Sequence, residues 1–348
     1  MEDIIKKIEK ANLVGRGGGC FPTAKKWEMV AKAIGPKKYV VCNFSEGEPG
    51  VKKDEYILKN YALEMIEGMK IAMDTIGAED AFVYLNPDYY KKYYKNLKEL
   101  SKGKNFEIFK KSHTAGYIGG EETSALNHIE GHKVEPRLRP PFPTTNGLWN
   151  MPTLVNNPET FYHVCLISQN RYEGKRFVTI NGDCFERGVY EMPESLNMDE
   201  ILKKTNNYPD FDFFVQVGGD ASGVVLNGDQ INKPVLGSGS ITVYSTYKYE
   251  PIELFRKWID FFQKESCGQC TPCRDGLYRL KEMLVDDEPD WDVVGEILDN
   301  LAESSFCGLG CAAPIAIRSY IENVLVNIPE KKIDLPDYEK KMICDCFS

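Results

Sequence analysis

Cys267-Gly-Gln-Cys270-Thr-Pro-Cys273 sets three thiols at intervals of three, and Cys307 follows further along the chain. Three thiolates so spaced can wrap a small inorganic cluster from a single loop, with a remote cysteine closing the fourth corner. A structural zinc is the competing reading. Zinc sites more often use paired CxxC knuckles with a long gap, or include histidine, and no histidine lies near this run. The four-thiolate set suits a [4Fe–4S] cluster best. Cys311 could substitute as the fourth ligand, because it would share a helix face with Cys307, or it is a buried spare thiol. Cys344 and Cys346, in the tail ICDCFS, could serve a partner-borne or interface site, or be thiols of a frayed tail.

GRGGGCFPT, Gly15 to Thr23, is the second stretch with chemistry in it. Gly15, Gly17, Gly18 and Gly19 cannot pack a core, and ordering them costs much entropy. Such a run suits backbone that passes very close to something. Pro22 and Thr23 can open a helix, and a glycine loop feeding a helix N-terminus is a phosphate site. A mobile linker is the alternative. The stretch is not the G-x-G-x-x-G dinucleotide fingerprint, which needs a preceding strand; MEDIIKKIEKA before it reads as an amphipathic helix.

The elements that must position these residues change character along the chain. Up to about residue 170 helical and strand-like patterns alternate. Pro22–Ile34 has helical spacing, Lys37–Phe44 is a strand, Glu55–Ile76 a long helix and Ala81–Leu85 a buried strand. Asp88–Leu100 is a polar helix, Phe106–Phe109 a strand and Glu122–Ile129 a helix. Arg139–Thr160 is too rich in Pro, Asn and Gly for regular structure. The alternation predicts an α/β layer architecture. From Arg176 to Thr246 short strands with glycine turns surround one helix, Asn197–Lys204, which reads as a small α+β insert. Beyond Glu250 the chain is a helical bundle that carries the cysteines. The fold class is therefore α/β, with an α/β domain over 1–172, a small α+β (β-grasp-like) domain over 173–248, a helical cluster-bearing domain over 249–330 and a tail over 331–348.

Composition narrows the function. The 348 residues suffice for two or three domains, and 42% hydrophobic with 27% charged residues is ordinary for a soluble globular protein. A net charge of −9 argues against non-specific nucleic-acid binding. No apolar run reaches the roughly 18 residues of a membrane span, and the N-terminus lacks a signal peptide's apolar region and cleavage site, so direct membrane insertion is not expected and the cytoplasm is. Eleven cysteines in such a chain point to metal or redox chemistry.

Six motifs then occur in one order: GRGGGCFPTAKKW, NFSEGEPGVKKD, AGYIGGEETSALNHIEG, PRLRPPFP, GLWNMPTLVNNPET and ESCGQCTPCRDG. From about Ala11 to Leu325 the chain resembles the flavin-bearing, NADH-oxidising subunit of respiratory complex I, a family shared with NAD-linked hydrogenases, formate dehydrogenases and electron-bifurcating complexes. The resemblance implies three cofactors: FMN in the first domain, a [4Fe–4S] cluster, and NAD(H) or NADP(H). It implies that Gly15, Arg16, Gly17 and Gly18 form the loop over the FMN phosphate and ribityl chain. Asn43 matches the asparagine at the flavin, Ser45 stands beside it, and Glu46 and Glu48 match an acidic pair. Tyr117, Gly120, Glu121 and Glu122 match the GEET turn, and Asn156 and Asn157 the asparagine pair on the far side. Phe21, Lys26, Arg139 and Phe142 fall where the dinucleotide's adenine and phosphates bind. Glu48 and Glu121 are the implied catalytic carboxylates, and Cys267, Cys270, Cys273 and Cys307 the cluster ligands. Lys26 and Arg139 can offset phosphate charge, and Phe21 and Phe142 offer flat faces to an adenine. First-turn carboxylates at Glu121 and Glu122 would also simply favour a helix start.

The chain departs from the family where Cys20 and Ser45 replace a usual glycine and aspartate, Ala24-Lys25 a usual Gly-Leu, and Arg139 a lysine. The implied activity is conversion of hydride from a nicotinamide nucleotide into single electrons. It is exercised beside a thioredoxin-like [2Fe–2S] subunit and a larger iron–sulfur or catalytic subunit. An electron-relay subunit that has lost the dinucleotide site is the alternative, and a zinc-stabilised scaffold without redox activity a third.

Overall fold

The computed structural model describes residues 2–286 and 288–335; the expectations for Cys344 and Cys346 lie outside them. The chain divides into two compact units, Met1–Gly47 with Lys52–Phe177, and Glu48–Val51 with Val178–Ser348.

In the first unit helices α1 (Glu2–Lys10) and α2 (Thr23–Lys32) flank the glycine loop, and strand β1 (Tyr39–Phe44) follows. Next come α3 (Lys53–Asn60), α4 (Ala62–Ile76), β2 (Asp80–Leu85), α5 (Pro87–Leu100) and β3 (Asn105–Lys110). α6 (Glu122–Ile129), α7 (Pro143–Asn146), β4 (Thr153–Asn156) and α8 (Pro158–Ser168) complete it. Local chemistry marks the ends. Gly77 closes α4 in the left-handed region at φ +74°, and Asn86 caps α5 by accepting from Asp88 N, with Pro87 in the first turn.

The four strands form one sheet in the order β3-β2-β1-β4, all neighbours parallel. β1 and β2 are apolar nearly throughout, as strands covered on both faces are. Chain order reverses between β1 and β4, and in open parallel sheets the carboxyl ends of the strands at such a reversal are where ligands bind. Helix α4 lies against α8 so closely that a Cβ on Gly68 would sit 1.9 Å from Phe161 O.

Two expectations are corrected. The single helix over Glu55–Ile76 is two, broken at Tyr61, whose backbone leaves the helical region at φ −137° while its ring packs on Tyr162 and Phe177. The irregular stretch Arg139–Thr160 contains α7 and the edge strand β4. Four residues of strand set among Pro and Asn carry no periodic signal; pairing with β1 makes them a strand.

The unit boundary falls inside β5 (Lys175–Gly182), and the second unit continues with β6 (Gly188–Pro193), α9 (Met198–Lys204), β7 (Phe213–Val217), β8 (Val224–Asn227) and β9 (Ser240–Ser245). The sheet order is β6-β5-β9-β7-β8, with β5 parallel to β9, and β7 antiparallel to both β8 and β9. Val178, Ile180, Ile201, Leu202, Val215 and Val243 fill its core. β6 is half-buried at every position but the exposed Glu191 and shows no alternation.

Helices α10 (Pro251–Glu265), α11 (Leu277–Met283), α12 (Trp291–Ser304) and α13 (Gly308–Asn323) follow and bury Phe255, Trp258, Leu298 and Tyr320. Contrary to the expectation that no stretch would qualify, Gly308–Asn327 is long and apolar enough to cross a membrane by length and composition, but 61% of its most apolar window is buried inside the protein, as in a core helix.

Candidate functional site

The carboxyl ends of β1 and β4 gather most of the expected site residues. Asn43, at the end of β1, donates through Nδ2 to Gly120 O at 2.8 Å and accepts from Ser45 N at 3.2 Å. That latches the strand end to the turn before α6. Asn156 ends β4 and accepts from Trp27 Nε1 at 3.0 Å. Asn157 caps α8 through Glu159 N, accepts from Lys53 Nζ at 2.9 Å and donates to Asp54 Oδ2 at 3.0 Å.

The glycine loop reaches the same edge. Arg16 N donates to Thr160 Oγ1 at 3.1 Å, and Gly17 lies against the Asn157 side chain. Gly15 N donates to Phe21 O at 2.9 Å, closing the loop on itself, while Gly18 adopts φ +109°, a backbone conformation suited to glycine. The stretch is thus an anchored turn, not a linker. The Arg16 side chain is only 3% exposed, with its guanidinium near Tyr172 OH, so it pins the loop from beneath.

Under the loop lies a set of buried charges. Lys53 bridges Asp54 at 2.7 Å and Glu159 at 3.0 Å, all three buried. Burial alone would raise Glu159, but the charges of Lys53, His163 and Arg16 hold it well below the usual carboxylate range. Glu46 is the opposite case. Desolvation, reinforced by the charge of Asp54, pushes it up to about 8 against the pull of its donors. Those donors are Tyr89 OH at 2.5 Å and the backbone N–H groups of Asp54 and Glu55 at the start of α3.

On the other side Glu121 is the N-cap of α6, accepting from Thr123 N at 2.9 Å and Ser124 N at 2.8 Å, and its second oxygen pairs with Arg139. Glu122 pairs with Lys26 at 2.5 Å, and Lys26 also donates to Val155 O at 2.8 Å. Tyr117 packs on Gly47. Phe21 and Phe142 are exposed at 44% and 50%, and Lys25 Nζ lies 5.9 Å over the Phe21 ring. Glu48 belongs to the second unit, where its carboxylate accepts from Ala221 N at 3.1 Å and Ser222 N at 3.0 Å.

Sequence reading did not single out Lys53, Asp54, Glu159 and Thr160, although they sit inside the quoted VKKD and NNPET. It missed Lys111 altogether, because a lysine at a strand end gives no signal of burial.

The cysteine run also lies in the second unit. Cys273 occupies a π-helical turn, Pro272–Gly276, that leads into α11, and Cys307 is the N-cap of α13. Ser266 Oγ lies 3.2 Å from Cys273 Sγ, and Phe306 N donates to Cys270 Sγ at 3.5 Å. Burial pushes the thiols of Cys273 and Cys307 up to about 11. Each senses its neighbours, Cys273 the charges of Cys270 and Cys267, Cys307 those of Cys267 and Cys273. Among the described residues no three His, Cys, Asp or Glu side chains close around the point a single ion would occupy. Neighbouring soft thiolates with no histidine among them suit an iron–sulfur cluster. Cys311 Sγ turns to Ser305 O at 3.7 Å.

Comparison with known proteins agrees with both halves. Residues 8–166 match the Nuo51 FMN-binding domain, and residues 253–325 the NADH-ubiquinone oxidoreductase-F iron-sulfur binding region. An NADH-quinone oxidoreductase subunit of Aquifex aeolicus is 31% identical over 92% of this chain and 84% of its own length. The chain belongs to that family. Members of it are subunits of larger assemblies, and an FMN-binding domain and a [4Fe–4S]-binding region are this chain's family inheritance. The family's reach includes the NAD-reducing hydrogenase HoxS subunit alpha of Cupriavidus necator, 31% identical over 92% of this chain but only 59% of that subunit. It also includes the NADP-reducing hydrogenase subunit HndC of Solidesulfovibrio fructosivorans, at 29% identity over 92% of this chain. A crystal structure of an air-oxidised NAD+-reducing [NiFe]-hydrogenase superposes with a TM-score of 0.86 at 27% identity, covering 98% of this chain and 64% of that one.

Proposed function

We propose that the chain is the nicotinamide-nucleotide-oxidising flavoprotein subunit of a multi-subunit oxidoreductase, passing electrons through its cluster to partner subunits. The observation that supports this best is the meeting of the Gly15–Gly18 turn, Asn43, Ser45, Gly120 and Asn157 at the sheet's topological reversal. In this reading residues 1–172 hold FMN, 173–248 form the insert and 249–330 hold the [4Fe–4S] cluster. Bound FMN supplies exchange of a hydride with nicotinamide on one side and of single electrons with iron–sulfur clusters on the other.

The chain's own residues bind and orient. The turn closed by Gly15 N and Arg16 N offers the N–H groups of Gly17 and Gly18 to phosphate oxygens, and Asn43, Asn156 and Asn157 fix the ring system by hydrogen bonds. Tyr117 and Gly120 close the opposite wall. Phe21 and Phe142 stack on the adenine, with Lys26 and Arg139 beside the phosphates. Glu121, capping α6 and paired with Arg139, lines the nicotinamide side. Cys267, Cys270, Cys273 and Cys307 ligate the cluster. The receiving partners are a thioredoxin-like [2Fe–2S] subunit and a larger iron–sulfur or catalytic subunit, in the cytoplasm.

A specific observation favours a second reading, an electron-relay subunit without a dinucleotide site. Lys26 and Arg139 are paired with Glu122 and Glu121, so nucleotide phosphates would have to compete for them. Anaerobic titration of the FMN- and iron-loaded protein with NADH and then NADPH separates the two. Bleaching of the flavin absorbance by one nucleotide supports the oxidising subunit and identifies its nucleotide. A flavin bleached by dithionite but by neither nucleotide supports the relay.

A further inference from the structure

We infer that Ser305 tunes the iron–sulfur site: its buried hydroxyl donates a hydrogen bond into the sulfur shell made by Cys267, Cys270, Cys273 and Cys307 and raises the reduction potential of the cluster. This rests on the cluster reading above and concerns a residue that none of the six motifs includes.

Ser305 ends α12 and stands two residues before Cys307, the N-cap of α13. Its backbone alone closes the helix: Ser305 N donates to Leu301 O at 3.3 Å, and Ser305 O accepts from Cys311 Sγ at 3.7 Å. The hydroxyl takes part in neither bond. Ser305 Oγ is buried, and among the described residues it has no hydrogen-bond partner. A buried hydroxyl left unpaired is costly, and its presence calls for a group that completes it.

The surroundings point to sulfur. A Cβ on Gly310 would lie 2.2 Å from Ser305 Oγ and 3.2 Å from Cys273 Cβ, so both side chains press on the same bare face of the first turn of α13. Phe306, the next residue, donates through its N–H to Cys270 Sγ at 3.5 Å. The backbone N–H groups of Leu309 and Gly310 pull the Cys307 thiol down against its burial. Ser305 thus stands among donors already turned to two of the four cysteines. The comparable hydroxyl of Ser266 lies 3.2 Å from Cys273 Sγ. Ser305 Oγ has no such thiol beside it, and the acceptors left to it are the inorganic sulfides that the four thiolates would enclose.

Reduction adds one electron, and so one negative charge, to that sulfur shell, while the hydroxyl keeps its proton. A hydrogen bond aimed at sulfur in a poorly screened interior stabilises the more negative state.

The test uses the full chain loaded with iron and sulfide, as wild type, Ser305→Ala and Ser305→Thr. Measured are iron and acid-labile sulfide per chain, the midpoint potential by EPR-monitored titration, and the exchangeable deuteron couplings of the reduced cluster by ENDOR in D2O. Ser305→Ala keeps the cluster but favours its reduced state roughly fivefold less, a shift of about 40 mV to the negative for one electron, and it loses one exchangeable coupling. Ser305→Thr restores both. Should Ser305→Ala not retain its cluster, Ser305→Gly is read by the same two measurements. Equal potentials and couplings in wild type and variant, as when a water completes the hydroxyl, overturn the role of Ser305 and leave the cluster reading intact. A shifted potential with every coupling retained overturns it too, because packing would then be the cause. Wild type that holds zinc, or no iron and sulfide, overturns both.

Discussion

A hydroxyl placed on the sulfur of a proposed cluster ligand is the smallest feature here with a measurable consequence. Ser266 Oγ lies 3.2 Å from Cys273 Sγ, and hydrogen bonds to cluster sulfurs raise the reduction potential. Ser266→Ala should move the cluster's midpoint to the negative, by less than the roughly 60 mV that a tenfold change represents for one electron. EPR-monitored redox titration of the iron-loaded protein would show it. Cys307→Ser should do more and lose most of the cluster, read as iron and acid-labile sulfide per chain.

Glu46 makes a prediction about pH. Its carboxyl is pushed up to about 8 from an ordinary 4.5, so between those values the folded chain holds a proton that the unfolded chain releases. Stability should therefore fall as pH rises across that window. In Glu46→Gln that part of the slope, at most about 1.4 kcal/mol per pH unit, should vanish. Urea unfolding of both proteins at pH 5, 6.5 and 8 compares them; parallel profiles would contradict the assignment.

At the scale of elements, packing of α4 on α8 sets a strict size limit. Gly68→Ala puts a carbon onto Phe161 O, and overpacking of this kind costs typically 1–3 kcal/mol. Thermal unfolding should show a clear loss, whereas Gly19→Ala, with open space around it, should leave the midpoint nearly unchanged. The same elements show what could be read from sequence. β1 and β2 are apolar runs bounded by turn residues and were legible. β4 was not, because its strand character comes from pairing with β1 across a long loop. Nor was the break at Tyr61 visible, since no Gly or Pro marks it and the cause is an aromatic packing site. For the site, the ordered motifs located the glycine turn, the asparagines and the cysteines. Lys53, Glu159 and Lys111 stayed hidden because a charged residue is read as solvated until its partners are seen.

For the whole molecule, the two candidate cofactor sites fall in different compact units. FMN should slow amide hydrogen exchange at Gly15–Gly19, Asn43–Gly47, Gly119–Thr123 and Asn156–Asn157. Iron loading should instead slow it at Ser266–Gly276 and Ser305–Cys311. FMN protection confined to the second unit would contradict the assignment of the cradle. The parallel sheet also bears on how this protein could be handled. Because β1 to β4 all run the same way, every strand of that sheet begins on the edge opposite the cradle. Lys102, Gly103 and Lys104, exposed in the turn that feeds β3, lie on that opposite edge. A tether or fluorophore attached there would let the protein be wired to an electrode or a bead with the flavin-facing edge of the sheet turned towards the solution.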